Sequence, residues 1–149
     1  MTVYYLDSSA WVKAYRREPG TDRILKLFQS GVHLASAGLG YVEVAAALAR
    51  QLAPGRISQP ELLRLQKQLR IDWANITSLP IDAELIERSV ELAEHHKLRG
   101  ADAVHLAAAL RLRDALATGG IETILLSSDK ELLQATELSG LAWEDPTFN

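Results

Sequence analysis

The chain alternates between short apolar runs and longer segments in which apolar residues recur every three or four positions. The first short run, TVYYL at residues 2–6, is uncharged and rich in β-formers, so it predicts a buried strand. Similar runs predict strands at residues 32–36, 76–81 and 122–127, and a last edge strand at residues 141–143.

In the segments between these strands, apolar residues recur at the spacing of a helix. Pro19-Gly20, Pro54-Gly55 and Gly119-Gly120 separate the segments. The predicted helices cover residues 8 or 9 to 17, 21–29, 38–51, 58–73, 83–97, 101–116 and 129–139. Strands that alternate with helices predict an α/β fold, a parallel sheet with helices on both faces. Ligands of such sheets bind beyond the carboxyl ends of the strands.

Composition narrows the class of protein. The 149 residues suit one domain over residues 1–149, and 48% hydrophobic with 23% charged residues is ordinary for a globular protein. The lack of cysteine excludes disulfides and fits a reducing cytoplasm. We expect no signal peptide, because the N-terminus has no basic region followed by a long apolar run. We expect no membrane span, because the longest candidate, residues 34–49, contains Glu43 and is shorter than the roughly 20 apolar residues that a span needs.

The net charge of −3 argues mildly against a nucleic-acid binder, which usually carries a basic surplus. A carboxylate cluster that binds metal would account for the deficit, since the local charge becomes positive once ions are bound.

Four acidic residues stand out by position. Asp7 directly follows the first strand, and Asp129 follows the 122–127 strand in a similar way. Glu43 is the only charged residue between positions 34 and 49, and Asp102 the only formally charged one between 100 and 110. A lone carboxylate in an apolar setting is costly unless it is paired, so a metal ion is an economical partner.

Each acid also has a structural interpretation. Asp7 could simply cap a helix, Asp102 could be favoured only by the helix dipole, and Glu43 could point outward on an exposed stripe. Asp129 could be a favourable neighbour within a capping box formed by Ser128 and Glu131.

Carboxylates without His or Cys suit Mg²⁺ or Mn²⁺ and not zinc. One or two such ions could orient a phosphodiester and activate a water; in a two-metal site the ions lie roughly 3.5–4 Å apart. This chemistry does not itself distinguish a nuclease for RNA from a DNase or a phosphatase.

The order of motifs resembles the PIN-domain nucleases, most closely the VapC-type toxins of toxin–antitoxin pairs. The motifs are a strand ending in DSSA (7–10), YVEV (41–44), GADAVHLAAA (100–109), LSSDKEL (126–132) and the closing GLAWEDP (140–146). The resemblance implies a three-layer α/β/α sandwich with a mostly parallel sheet. It also implies Mg²⁺- or Mn²⁺-dependent endoribonuclease activity, a homodimer and an antitoxin that covers the site.

The family's catalytic and metal-binding quartet matches Asp7, Glu43, Asp102 and Asp129 position by position. Serine at 127 stands where threonine is common, and it keeps the hydroxyl. The rival from another class is a catalytically silent PIN-fold binding module, against which the intact quartet argues.

Other residues have two interpretations each. His105, one turn after Asp102, is a packed histidine or a catalytic assistant. Lys97 and Arg99 steer RNA or lie in a solvated loop. The aromatic residues Trp11, Tyr15 and Tyr41 either pack in the core or in a dimer interface, or provide surfaces on which bases stack.

Overall fold

The computed structural model describes residues 1–148, which form one parallel sheet between two layers of helices. The strands are β1 Thr2–Leu6, β2 His33–Ala37, β3 Thr77–Leu79, β4 Glu122–Leu126 and β5 Ala142–Glu144. The helices are α1 Ser8–Trp11, α2 Thr21–Gln29, α3 Gly38–Arg50, α4 Gln59–Asn75, α5 Ala83–His96, α6 Gly100–Ala117 and α7 Lys130–Leu138. Short 3-10 turns follow at Val12–Ala14 and Pro146–Phe148.

The sheet has the order β3-β2-β1-β4-β5, and its four strand pairs are all parallel. The predicted α/β fold with a mostly parallel sheet is therefore confirmed. Strand β1 is central and has helices on both faces, which explains why its sequence carries no charge. Tyr5 of β1 pairs with Ala35 of β2 on one side and Leu125 of β4 on the other.

Each face of the sheet has its own apolar core. On one face Tyr5 packs with α5, α6 and α7, where Leu106 is fully buried. On the other face Leu6 packs with α1 to α4, where Trp11 is fully buried. The alternation of side chains along β1 sends neighbouring residues to opposite cores, so the three-layer arrangement follows from one strand with two buried faces.

The predicted helix over residues 8–17 is wrong beyond residue 11. The chain leaves the α-helix at Val12–Ala14, and this turn brings Lys13 and Arg16 onto Glu18, each with a nitrogen 2.8 Å from a carboxylate oxygen. The predicted strand over 76–81 is shorter because Pro80 has no N–H to continue the ladder. Strand β1 and helix α2 have the predicted bounds, and the other elements differ from the prediction by one or two residues at their ends.

Within residues 1–148, none of the helices combines the length and the apolar character needed to cross a membrane.

Candidate active site

Asp7 lies at the carboxyl edge of the central strand, with only 2% of its surface exposed. Its N–H donates to the Leu126 carbonyl at 3.2 Å and so extends the pairing of β1 with β4. Its carboxylate accepts hydrogen bonds from the Ala10 N–H at 2.9 Å, from the Ser9 hydroxyl at 2.8 Å and from the Ser127 hydroxyl at 2.6 Å. Asp7 does cap α1, but its burial and its two serine partners go beyond what a helix cap requires.

Asp129 lies at the neighbouring strand end, after β4. Its carboxylate accepts from the Leu132 N–H at 3.0 Å, so Asp129 itself is the cap of α7. The predicted capping box, with Ser128 as the cap, is therefore wrong. The Asp129 N–H donates to the Ser127 hydroxyl at 3.0 Å, and that hydroxyl donates to Asp7. One serine thus ties the first and fourth acids together.

Asp102 lies in the first turn of α6 with 16% of its side chain exposed. Its Oδ2 atom is buried and has no hydrogen-bond partner. The Arg99 Nε atom lies 3.5 Å from that oxygen, close enough for an ion pair but without hydrogen-bond geometry. The same guanidinium donates to Asp129 Oδ2 at 2.7 Å, so Arg99 spans the third and fourth acids.

Glu43 projects from α3 with 31% of its side chain exposed. Its Oε1 atom lies 2.7 Å from Nε2 of His105, which is 1% exposed and sits on α6. Glu43 therefore faces α6, and the interpretation that places it on an outward stripe is wrong. His105 is packed and hydrogen-bonded, as the commoner interpretation expects, yet its partner is one of the four acids.

Three of the four carboxylates, those of Asp7, Asp102 and Asp129, interact electrostatically at this edge of the sheet. Burial, and then the negative charges of Asp129 and Asp7, raise the pKa of Asp102 to about 6, against the opposing influence of Arg99 and His105. Burial also raises the pKa of Asp7, while His105 and the serine hydroxyls oppose that rise. A carboxyl whose pKa is raised by burial and by neighbouring carboxylates would be stabilised in its ionised form by a bound cation.

The chemistry of these donors fits a hard divalent cation. Their oxygens are all carboxylates, and Asp102 Oδ2 is a buried acceptor that lacks a donor. Among residues 1–148, however, no three His, Cys, Asp or Glu side chains are close enough to grip one ion together. Mg²⁺ commonly binds proteins through one or two carboxylates and keeps several waters, so this spacing suits an ion held partly through water.

Two hydroxyl partners and one phenol at this site were not among the predicted site residues. Ser9 and Ser127 bind Asp7, and Tyr5 binds His105. Ser9 lies two residues after Asp7 and Ser127 two residues before Asp129, in the DSSA and LSSD motifs, and this spacing is the signal that could have identified the serines. Nothing in the sequence links Tyr5 to His105, since they are 100 positions apart.

The aromatic residues considered for base stacking pack in or against the apolar core. Trp11 is fully buried and donates its indole N–H to the Tyr15 hydroxyl, which donates to Asp72. Tyr41 stacks on Trp73 with ring centres 4.9 Å apart. The packing interpretation is therefore confirmed for these side chains.

These features define a parallel α/β protein with an acidic site beyond the carboxyl ends of its central strands. The PIN domain family model matches residues 4–137, and the chain belongs to this family. The predicted family resemblance is thereby confirmed.

Particular relatives are similar over most of their length. Ribonuclease VapC45 and Ribonuclease VapC49 of Mycobacterium tuberculosis are each 35% identical to the chain over 114 residues, which cover 76% of the chain and 79% of each relative. The solved structure of VapBC-1 from nontypeable Haemophilus influenzae superposes with a TM-score of 0.64 at 16% identity, covering 97% of this chain and 98% of that one. At that identity the structural match supports the fold alone.

Proposed function

We propose that this protein is a divalent-metal-dependent endoribonuclease and the toxin of a toxin–antitoxin pair. The observation that carries the proposal is that Asp7 and Asp129 act electrostatically on Asp102, a buried oxygen of which lacks a donor. Glu43 faces the same helix α6 through its contact with His105. The family and the two ribonuclease relatives support RNA as the substrate.

Asp7, Glu43, Asp102 and Asp129 would hold Mg²⁺ or Mn²⁺, directly or through water. When bound, such an ion lowers the pKa of a water and stabilises charge on phosphate oxygens. Ser9 and Ser127 fix the carboxylate of Asp7 from two sides.

Arg99 adds a positive charge at the same edge. Its side chain is 74% exposed and lies against Asp102 and Asp129, where a phosphodiester would approach. It therefore fits the predicted role of steering RNA better than that of a loop residue surrounded only by solvent. Lys97, two residues earlier, is also exposed and can add to this attraction.

Two protein partners belong to the proposal. One is a cognate antitoxin, which structures of relatives in complexes such as VapBC-1 support. The other is a second copy of the chain, an expectation that comes from the family resemblance. We place the protein in the cytoplasm, where its RNA substrate and antitoxin would be made.

The test is cleavage of total cellular RNA by purified protein with Mn²⁺, with Mg²⁺ and with EDTA. We expect discrete fragments that require metal, and no fragments from Asp7→Asn. The matched control is Asp22→Asn, which changes an exposed acid on α2 and should cut at the wild-type rate. End-mapping of the fragments would identify the cleaved RNA.

Two results would count against the proposal. If folded, antitoxin-free protein failed to cut RNA under every metal condition, the catalytically silent binding module would become the better interpretation. If Asp7→Asn cut as well as the wild type, the role of the central carboxylate would be wrong.

A further inference from the structure

A buried chain of hydrogen bonds connects the centre of the sheet to one of the four acids. The Tyr5 hydroxyl lies 2.7 Å from Nδ1 of His105, and Nε2 of His105 lies 2.7 Å from Oε1 of Glu43. Tyr5 and His105 are both essentially inaccessible to solvent. His105 therefore cannot contact RNA itself, and whatever it does for the site passes through Glu43.

The donors in this chain can be assigned from the chemistry of the groups. An ionised carboxylate only accepts hydrogen bonds, so the proton on His105 that faces Glu43 belongs to Nε2. In a neutral imidazole Nδ1 is then the acceptor, and the Tyr5 hydroxyl donates to it. Burial raises the pKa of Tyr5, which keeps its hydroxyl proton in place as a donor. Glu43 and Tyr5 thus favour the same tautomer of His105.

The packing around the imidazole restricts its position. At Gly40, one turn before Glu43 on α3, a Cβ would lie 3.2 Å from His105 Cε1 and 2.7 Å from Ser36 Oγ. The lack of a side chain at Gly40 lets α3 approach α6 and β2 closely. This approach brings Glu43 within hydrogen-bond distance of His105.

We propose that His105 is a positioning residue: it holds one oxygen of Glu43 so that the other oxygen faces a divalent cation. This inference rests on the proposed function. Helix α6 then contributes twice, since Asp102 is three residues before His105 on the same face of the helix. A carboxylate fixed in advance loses less side-chain freedom when the cation binds. Partners that orient metal ligands in this way typically change metal affinity about 10- to 100-fold when removed.

The main experiment measures Mn²⁺ affinity by isothermal titration calorimetry, without RNA. His105→Leu removes the donor and keeps an apolar side chain in its place, and we expect affinity to fall about 10- to 100-fold. His105→Gln keeps an N–H at nearly the same place and should recover much of the loss. His33→Leu, at an exposed histidine on β2, is the matched control and should bind as the wild type does. Circular dichroism would verify that each variant is folded.

A second measurement remains decisive even if His105→Leu does not fold. Nitrogen-15 NMR of the imidazole in the wild type should show His105 protonated at Nε2. The preference for Nε2 should weaken in Tyr5→Phe, which removes the donor to Nδ1. A wild-type ring protonated only at Nδ1 would overturn the inference. So would a folded His105→Leu protein with wild-type Mn²⁺ affinity, or equal losses in the Leu and Gln variants.

Failure of the proposed function would look different. Wild-type protein that showed the expected tautomer but bound no Mn²⁺ would refute the metal site, and the positioning role would fall with it. Wild-type protein that bound Mn²⁺ and cut RNA, together with an unimpaired His105→Leu variant, would refute the positioning role alone.

Discussion

Asp102→Asn should make the metal-free protein more stable at neutral pH, although it removes a residue proposed to bind metal. In the wild type the ionised carboxylate is largely buried, repelled by Asp129 and Asp7, and has an oxygen without a donor. Asparagine has nearly the same shape without the charge, so it resembles the protonated acid.

The size of the effect follows from the pKa of Asp102, which rises from its ordinary value of 3.8 to about 6. A shift of this size corresponds to about 3 kcal/mol of unfolding free energy. The folded state holds the proton of Asp102 more tightly than the unfolded state does. The stabilising contribution of this protonated carboxyl is therefore fully present below about pH 4 and is lost as the pH rises through about 6. Some relaxation around the charge is expected, so the gain from Asp102→Asn at pH 7.5 should be about 1–3 kcal/mol, which raises Tm by ~3–10 °C for a chain of this size.

Thermal and denaturant unfolding in EDTA between pH 4.5 and 8 would measure this gain, with Asp22→Asn as the control. The gain should be large at pH 7.5 and small at pH 4.5. Saturating Mn²⁺ should stabilise the wild type and reduce the difference, because a ligand that binds the folded state raises its stability. A variant that was less stable than the wild type in EDTA at pH 7.5, or a gain that did not change with pH, would refute the reasoning.

Three further substitutions test the packing around the site. Gly40→Ala should lower the unfolding free energy, measured by urea titration, by about 1–3 kcal/mol, because the new Cβ would lie 2.7 Å from the Ser36 hydroxyl oxygen. Gly38→Ala is the control: the space around Gly38 is open, so this substitution should be neutral or stabilising. Trp11→Ala should cost about 3–5 kcal/mol by denaturant unfolding, and a cost under about 1 kcal/mol would contradict its place in the core. Ser127→Ala should destabilise the metal-free protein by about 1–3 kcal/mol, since Asp7 loses its shortest donor; an unchanged melting curve in EDTA would show that this bond is unimportant.

Much of the fold was accessible from the sequence because its signals are local. The uncharged run at residues 2–6 predicted a buried strand, which is β1. The helices predicted over residues 58–73 and 83–97 are present, and Ser58 and Asp82 cap them. The turn after Trp11 was not accessible in this way. It brings Lys13 and Arg16 to Glu18, and these contacts leave no periodic signal in the sequence.

The sequence also marked the four acids, but by different routes. Asp7 and Asp129 could be brought together by reasoning alone, because they follow strands and the carboxyl ends of parallel strands share an edge. Glu43 and Asp102 stood out as lone charges in apolar helices, but that signal does not show where in the fold their side chains lie. Their place at the site depends on how α3 and α6 pack on the sheet.

The sequence by itself thus determined the alternation of strands and helices, the parallel sheet and the acidic residue types. These features depend on hydrophobic periodicity and isolated charges, which can be recognised from residues close together in the sequence. Only the tertiary structure decided that His105 binds Glu43, 62 residues away, and Tyr5, 100 residues away. It alone placed Arg99 across Asp102 and Asp129 and left an oxygen of Asp102 without a donor. The physical reason is that hydrogen bonding and burial depend on the distance between atoms, which close packing of distant segments sets and sequence separation does not.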